Sequence, residues 1–221
     1  MLFAAGFGTR MRPLTDTLPK PMIPVAGRPL IDHALDLARG YGAETLVANT
    51  HYRPAPLEAH LNGSDVTLIH EPDILDTGGG LRNALPLLGD APLFTLNTDA
   101  VWRGPNPLAH LAARWDPARM DALLLCLPRA AALGHKGAGD FIGDEGAPAT
   151  RGPGLVYSGL QILKPGGLGD IPDRVFSLNR LWDVMLTRQR LFITAWPGQW
   201  CDVGQPASIA LAESMLGSGD V

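Results

Sequence analysis

Apolar and polar positions along this chain follow two periods, and the two alternate. Short apolar runs at 2–5, 45–49, 66–70, 93–97, 122–127, 155–163 and 191–195 have the length and composition of buried strands. Between them, apolar residues at helical spacing predict helices over 29–41, 56–61, 78–88, 107–114, 183–189 and 206–216. The first helix is the clearest: Leu30, Ile31, Ala34, Leu35, Leu37 and Ala38 mark one stripe, and Gly40 and Gly42 end it. Strands alternating with helices predict an α/β protein, Rossmann-like, with a mostly parallel central sheet covered by helices on both faces. The segment 134–153, rich in Gly, Asp and Ala, breaks the alternation and predicts hairpins or an active-site loop. No linker and no repeat interrupts the pattern, so 1–221 reads as a single domain.

Bulk properties narrow the function classes. A net charge of −4 supplies no field toward nucleic acid or an anionic membrane, so any phosphate binding must come from local cations. No apolar run is long enough to cross a bilayer, and no charged region with an apolar core leads the chain, which predicts a cytoplasmic protein. Cys126 and Cys201 lie far apart and read as reduced, buried thiols, while the six histidines lack the pairing of a zinc site. No zinc is expected.

The local cations cluster in residues 4–21, Ala-Ala-Gly-Phe-Gly-Thr-Arg-Met-Arg-Pro-Leu-Thr-Asp-Thr-Leu-Pro-Lys-Pro. Gly6 and Gly8 let backbone N–H groups approach a ligand, and Pro13, Pro19 and Pro21 stiffen the loop that carries Arg10, Arg12 and Lys20. These features predict a triphosphate-binding loop. It is not a P-loop, because Thr9-Arg10-Met11 stands where Gly-Lys-Ser/Thr would, and Met11 also breaks a dinucleotide fingerprint. Three later strand ends add candidates, since ligands of open α/β sheets bind beyond the carboxyl ends of strands. Gly78, Gly79 and Gly80 open a helix and could offer unpaired N–H groups to a base or ribose, or form a plain glycine-rich helix entry. Asp99 follows the strand 93–97, where a carboxylate can hold magnesium or cap a turn. Asp202, before the last helix, reads as its metal-binding partner or as an electrostatic partner of that helix.

One long motif unites these positions. The signature Gly-x-Gly-Thr-Arg-x-x-Pro-Leu-Thr followed by Pro-Lys-Pro is matched by Gly6, Gly8, Thr9, Arg10, Pro13, Leu14, Thr15, Pro19, Lys20 and Pro21, and the chain resembles the sugar-1-phosphate nucleotidyltransferases. That family also carries a strand-terminal Asp in a Gly/Asn-x-Asp context and a late Trp-x-Asp-Val/Ile-Gly motif, both implicated in magnesium binding; Asp99 and Asp202 occupy these places. Within the family the likeness lies with members acting on the 1-phosphate of N-acetylmuramic acid in peptidoglycan recycling. It rests on Asp76-Thr77-Gly78-Gly79-Gly80, Asn97-Thr98-Asp99 and His135-Lys136-Gly137-Ala138-Gly139-Asp140-Phe141.

The resemblance implies joining of a nucleoside triphosphate, UTP in this branch, to a sugar 1-phosphate with release of pyrophosphate. No protein nucleophile is needed, in keeping with the lack of a Ser-His-Asp or Cys-His arrangement. It implies that Arg10 and Lys20 neutralise the phosphates and that Asp99 and Asp202 hold Mg2+, these four forming the catalytic set. Ala5, Gly6, Gly8, Thr9, Arg10, Lys20, Gly78 and Gly79 would hold the nucleotide. Asn97, Asp140 and Ser158 would bond the sugar, although Ser158 reads equally as an ordinary strand residue. The family's Glu-Lys-Pro lysine, which holds the sugar phosphate, is missing where Leu127-Pro128-Arg129 stands, leaving Lys136 or Arg129 as substitutes. A monomer is implied, with no nucleic-acid or membrane partner. The alternatives are a guanylyl-, thymidylyl- or cytidylyltransferase for another sugar phosphate or phosphorylated alcohol, or a non-catalytic nucleotide-sensing module.

Overall fold

In the computed structural model, which describes residues 1–217, the apolar runs form one sheet. Its strands are β1 (Leu2–Phe3), β2 (Leu46–Thr50), β3 (Val66–His70), β4 (Leu93–Asn97), β5 (Ala122–Leu127), β6 (Val156–Leu163) and β7 (Leu191–Ala195). They lie in the order β3-β2-β1-β4-β6-β5-β7. Every neighbouring pair is parallel except those of β6, which runs antiparallel to β4 and β5. The expected mostly parallel sheet is present.

The helices are α1 (Leu30–Tyr41), α2 (Pro54–Leu61), α3 (Asp76–Leu88), α4 (Pro107–Ala112), α5 (Asn179–Thr187) and α6 (Ala207–Gly217). Both faces of the sheet are covered, and β5 shows why its sequence has no polar alternation. Leu123, Leu125 and Leu127 pack in the cluster that holds Ile31 and Leu35 of α1 and Leu108 of α4. Ala122, Leu124 and Cys126 join Leu81 of α3 with Leu181 and Met185 of α5 on the other side. A strand buried on both faces must be apolar at every position. Helix α5 begins before the predicted residue 183, because Leu178, Leu181, Trp182 and Met185 already follow helical spacing and are buried.

The segment 134–153 contains the hairpin Phe141–Ile142 with Thr150–Arg151, as expected. The sequence did not reveal a second sheet of three short strands, Ala100–Arg103, Gln199–Asp202 and Ala132–Leu133, with Gln199–Asp202 in the middle. Trp102 packs edge-to-face on Trp196 and Trp200, with ring centroids 5.7 and 6.3 Å apart, filling the space between this sheet and the main one. Both cysteines are free and buried, as expected. Burial raises the Cys126 thiol far above its usual range, and burial followed by the charge of Asp202 pushes Cys201 up to about 11.

Asp121 pins the lower ends of three strands. Its Oδ1 accepts from Lys164 Nζ at 3.0 Å and lies 2.9 Å from Arg190 Nε. Burial opposes its ionisation, but the hydrogen bonds from Arg190 and Lys164 outweigh this, so its carboxyl titrates below the usual aspartate value. A depressed carboxyl contributes stability in full above its unfolded pKa of about 4 and loses it as pH falls through the folded value. Asp121→Asn is expected to cost about 1–3 kcal/mol at pH 7, with the gap to wild type closing below about pH 4; urea melts at pH 7 and pH 3 measure this.

Candidate active site

Parallel β1, β2 and β4 deliver their carboxyl ends to the same edge of the sheet, where the loops that follow them meet. Beyond β1 the chain passes through Ala4 and Ala5 to Gly6. A side chain placed at Gly6 would meet no atom within 4 Å, so the room there opens onto the cleft. Gly8 is constrained instead: at φ 61° its missing Cβ would lie 2.8 Å from Thr15 Cγ2. The Gly8 carbonyl accepts from the Met11 N–H at 2.8 Å and from Thr15 Oγ1 at 2.9 Å. This folds Thr9–Met11 into a tight turn that leaves Thr9 and Arg10 exposed. The proline-flanked return brings Lys20 Nζ to 2.7 Å from Asp99 Oδ2, with the lysine side chain only 13% exposed.

The cleft behind this loop encloses about 200 Å³ and is lined by Ala5, Gly6, Lys20, Asn49, Glu71 and Asp99, among others. A buried polar relay forms its floor. Asn49 Oδ1 accepts from the Ala4 N–H at 2.8 Å, and Asn49 Nδ2 donates to Glu71 Oε1 at 2.8 Å. Glu71 Oε2 in turn accepts from the Leu75 N–H at 3.1 Å. Thr98 Oγ1 donates to the Phe3 carbonyl at 2.8 Å, tying the end of β4 to the end of β1. The sequence reading passed over Asn49; the available signal was a polar residue near the carboxyl end of an otherwise apolar strand.

The unforeseen small sheet brings the two distant aspartates together. The Val203 N–H donates to the Asp99 carbonyl at 2.8 Å, and Asp202 pairs with Ala100 in the antiparallel register. Burial raises the Asp202 carboxyl pKa, and the charge of Asp99 raises it further, against the lowering influence of Lys20, Arg10 and His135. An acidic pair repelling itself in a half-buried place is a hard oxygen donor set, and it fits Mg2+ held by two carboxylates plus substrate oxygens. Among the described residues no group of three His, Cys, Asp or Glu is placed to hold a metal. Because the charges of Asp99, Lys20 and Arg10 all act on the Asp202 carboxyl, these four residues share one electrostatic neighbourhood.

A second cavity adjoins the cleft, sharing Phe3, Thr77 and Asn97 with it and extending to Asp140, Arg151 and Trp182. Asn97 has space because β6 bulges at Gly159, where φ is 88° and a Cβ would come within 2.8 Å of Asn97 Cβ. Asp140 is exposed, and its Oδ2 accepts from the Tyr157 N–H at 2.9 Å.

Several expectations are corrected by this geometry. Ser158 is buried within the same bulge, donating to the Leu125 carbonyl at 2.7 Å and accepting from the Leu160 N–H, so its hydroxyl is spent inside the sheet. The N–H groups of Gly78 and Gly79 are not unpaired: both donate to the Phe176 carbonyl, at 2.9 and 3.0 Å. Those glycines are there for packing, since a Cβ would lie 2.4 Å from the Phe176 ring at Gly78 and 2.6 Å from the Arg174 carbonyl at Gly79. Neither Lys136, which bonds Gln205, nor Arg129 lines either cavity.

A cleft at the carboxyl edge of the sheet, lined by Lys20 and Asp99 with the charges of Arg10 and Asp202 acting nearby and a second cavity alongside, suits an enzyme that joins two phosphate-bearing molecules. Residues 1–143 match the model of the MobA-like NTP transferase domain, and the chain belongs to that family. It is a nucleotidyltransferase. It is 39% identical over 231 residues to the N-acetylmuramate alpha-1-phosphate uridylyltransferase of Caulobacter vibrioides, spanning 98% of this chain and 96% of that protein. The protein of the same name from Neisseria meningitidis serogroup B is 31% identical over 231 residues, covering 99% of this chain and 98% of its own. The fold is shared with HddC from Yersinia pseudotuberculosis, solved in complex with GMP-PN, at a TM-score of 0.76, 18% identity and 97% coverage of each chain.

Proposed function

We propose that this enzyme transfers the uridylyl group of UTP to N-acetylmuramic acid α-1-phosphate, giving the UDP-sugar and pyrophosphate, as a step of peptidoglycan recycling. The observation that carries this reading is the nearly end-to-end similarity to two uridylyltransferases of that name. The paired cavities support it, one for each substrate.

A phosphate oxygen of the acceptor attacks the α-phosphorus in line, and that oxygen is already anionic near neutral pH, so no general base is required. Positioning and charge stabilisation then supply the rate, as in other phosphoryl transfers. The backbone of Ala5, Gly6, Gly8 and Thr9 cradles the triphosphate, and exposed Arg10 reaches its outer oxygens. Lys20 is held ready by Asp99, and it stabilises charge on the departing pyrophosphate. Asp99 and Asp202 would hold Mg2+, which when bound there supplies charge neutralisation to the phosphate oxygens. Asn97, at the junction of the cavities, donates to or accepts from the sugar, and Asp140 accepts from its hydroxyl or amide groups. The same reading includes a cytoplasmic monomer without nucleic-acid or membrane partners. The net charge of −4 supports the lack of a nucleic-acid or anionic-membrane partner, and no described helix is long and apolar enough to cross a membrane.

The test is pyrophosphate release with UTP, dTTP, GTP and CTP against N-acetylmuramic acid 1-phosphate and glucose 1-phosphate. The expected result is Mg2+-dependent release confined to UTP with the muramic sugar, abolished by chelation. Release with a different pair replaces the substrate and keeps the mechanism, whereas no release from folded protein that binds nucleotide points to a sensing module.

A further inference from the structure

The second cavity holds a cation that no step above uses. Arg151, on the second strand of the hairpin, is the one cation among the described residues that line it. Its guanidinium lies over two rings, 5.1 Å from the centroid of Phe141 and 5.5 Å from that of Trp182. Nη2 donates to Asn179 Oδ1 at 2.9 Å and to Asp183 Oδ1 at 3.0 Å. Trp182 is itself fixed, donating through Nε1 to the buried Gln161 at 2.9 Å. Stacking and two hydrogen bonds orient the planar group, and because both bonds use Nη2, Nε and Nη1 keep donors for a ligand.

We propose that Arg151 binds the lactyl carboxylate of the acceptor sugar and so sets the preference of this enzyme for a muramic acid. The proposal rests on the reading of the acceptor given above. Position separates the carboxylate from the other anionic group of that substrate. The reacting phosphate belongs beside Lys20 and Asp99, which line the first cleft and not the second. A sugar that passes Asn97 with its C1 phosphate toward Lys20 carries its C3 substituent onward into the second cavity. Glucose and mannose 1-phosphates have only a hydroxyl at that carbon, and N-acetylmuramic acid has a lactyl ether ending in a carboxylate. Asp140 in the same cavity and Asp183, which pairs with Arg151, both repel a second carboxylate, so the lactyl group is held there only through the free Nε and Nη1 donors of Arg151.

A single charge-assisted hydrogen bond from Nε or Nη1 contributes about 10- to 100-fold in specificity. With its side chain 39% exposed, Arg151 belongs at the lower end, about tenfold. The experiment compares kcat/KM for N-acetylmuramic acid 1-phosphate and for the same compound with the lactyl group converted to its neutral amide, in wild type and R151Q. Wild type is expected to prefer the acid about tenfold. R151Q is expected to lose that preference by falling on the acid alone, and R151K to recover part of it. Unchanged turnover of the amide by R151Q then shows that the variant is folded. An equal loss on acid and amide, as a phosphate contact would give, overturns the proposal. So does a wild type indifferent to the amide, a result read without any variant. Wild-type turnover of some other acceptor but of neither muramic compound overturns the functional reading, and the proposal with it.

Discussion

Asp99→Ala is expected to lower the rate of pyrophosphate release by about 10²–10³-fold at saturating substrate while leaving the protein folded. The carboxylate faces Lys20 at 2.7 Å, so its removal leaves a largely buried ammonium without its partner and deprives Asp202 of its companion oxygen donor. The fold survives because the strand pairing near Asp99 uses its main-chain carbonyl, which accepts from the Val203 N–H whatever the side chain. The melting temperature is expected to fall, because Lys20 is left unpaired, but melting stays cooperative and the protein is folded at the assay temperature while turnover collapses. Asp99→Asn separates charge from shape and is expected to lose nearly as much. Combining it with Asp202→Asn should cost far less than the product of the two effects, because the carboxylates act as a unit. More than about a tenth of wild-type activity in Asp99→Ala would contradict the role given to this carboxylate.

Asn49→Ala is expected to cost about 2–4 kcal/mol of stability and to raise KM for the nucleotide. Asn49 is 4% exposed, and its amide serves the Ala4 N–H on one side and the Glu71 carboxylate on the other. Alanine leaves both groups buried without a partner, which is costlier than losing an ordinary surface hydrogen bond. The space cannot close easily, because Gly80 of α3 already packs so near that a Cβ there would lie 2.9 Å from Asn49 Nδ2 and 2.8 Å from Glu71 Oε1. Function suffers because Ala4 leads directly into Ala5 and Gly6, and a loosened start misplaces the loop that receives the triphosphate. Urea melts and the nucleotide KM are the readouts. An unchanged midpoint would mean that the relay contributes nothing.

What the sequence made legible was what neighbours in the chain decide. Strands at 66–70, 93–97, 122–127 and 191–195 have the limits expected of them; burial on both faces makes 122–127 an uninterrupted apolar run, whereas the edge strand 66–70 exposes Thr67 and His70. The need for glycine at Gly8, expected there for ligand approach, is also set locally: the atoms that exclude a side chain belong to Thr15 and Lys20 of the same loop. What stayed hidden is decided by distant partners. The glycines at 78 and 79 looked like ligand donors, but the residues that require them are Arg174 and Phe176. Ser158 had a hydroxyl in a plausible strand, and only the bulge that spends it on Leu125 distinguishes it from a sugar contact. Short strands such as Gln199–Asp202 carry too few residues to show a period, so the pairing that unites the aspartates could not be read. Arg151 was one more surface charge until the hairpin set it over Phe141 and Trp182.

The junction of Ala100–Arg103 with Gln199–Asp202 has a consequence for how the enzyme comes into being. Synthesis proceeds from the amino terminus, so the glycine loop and Asp99 leave the ribosome long before Asp202 is made. The span matched by the family model, 1–143, likewise holds the first carboxylate and lacks the second. A nascent chain can gather the parts of a nucleotide cleft early, yet it cannot complete its acidic pair until the middle strand of the small sheet slots in between its two neighbours. On the roles proposed for the two carboxylates, a chain interrupted before Asp202 would hold the glycine loop and Asp99 yet be unable to consume nucleotide.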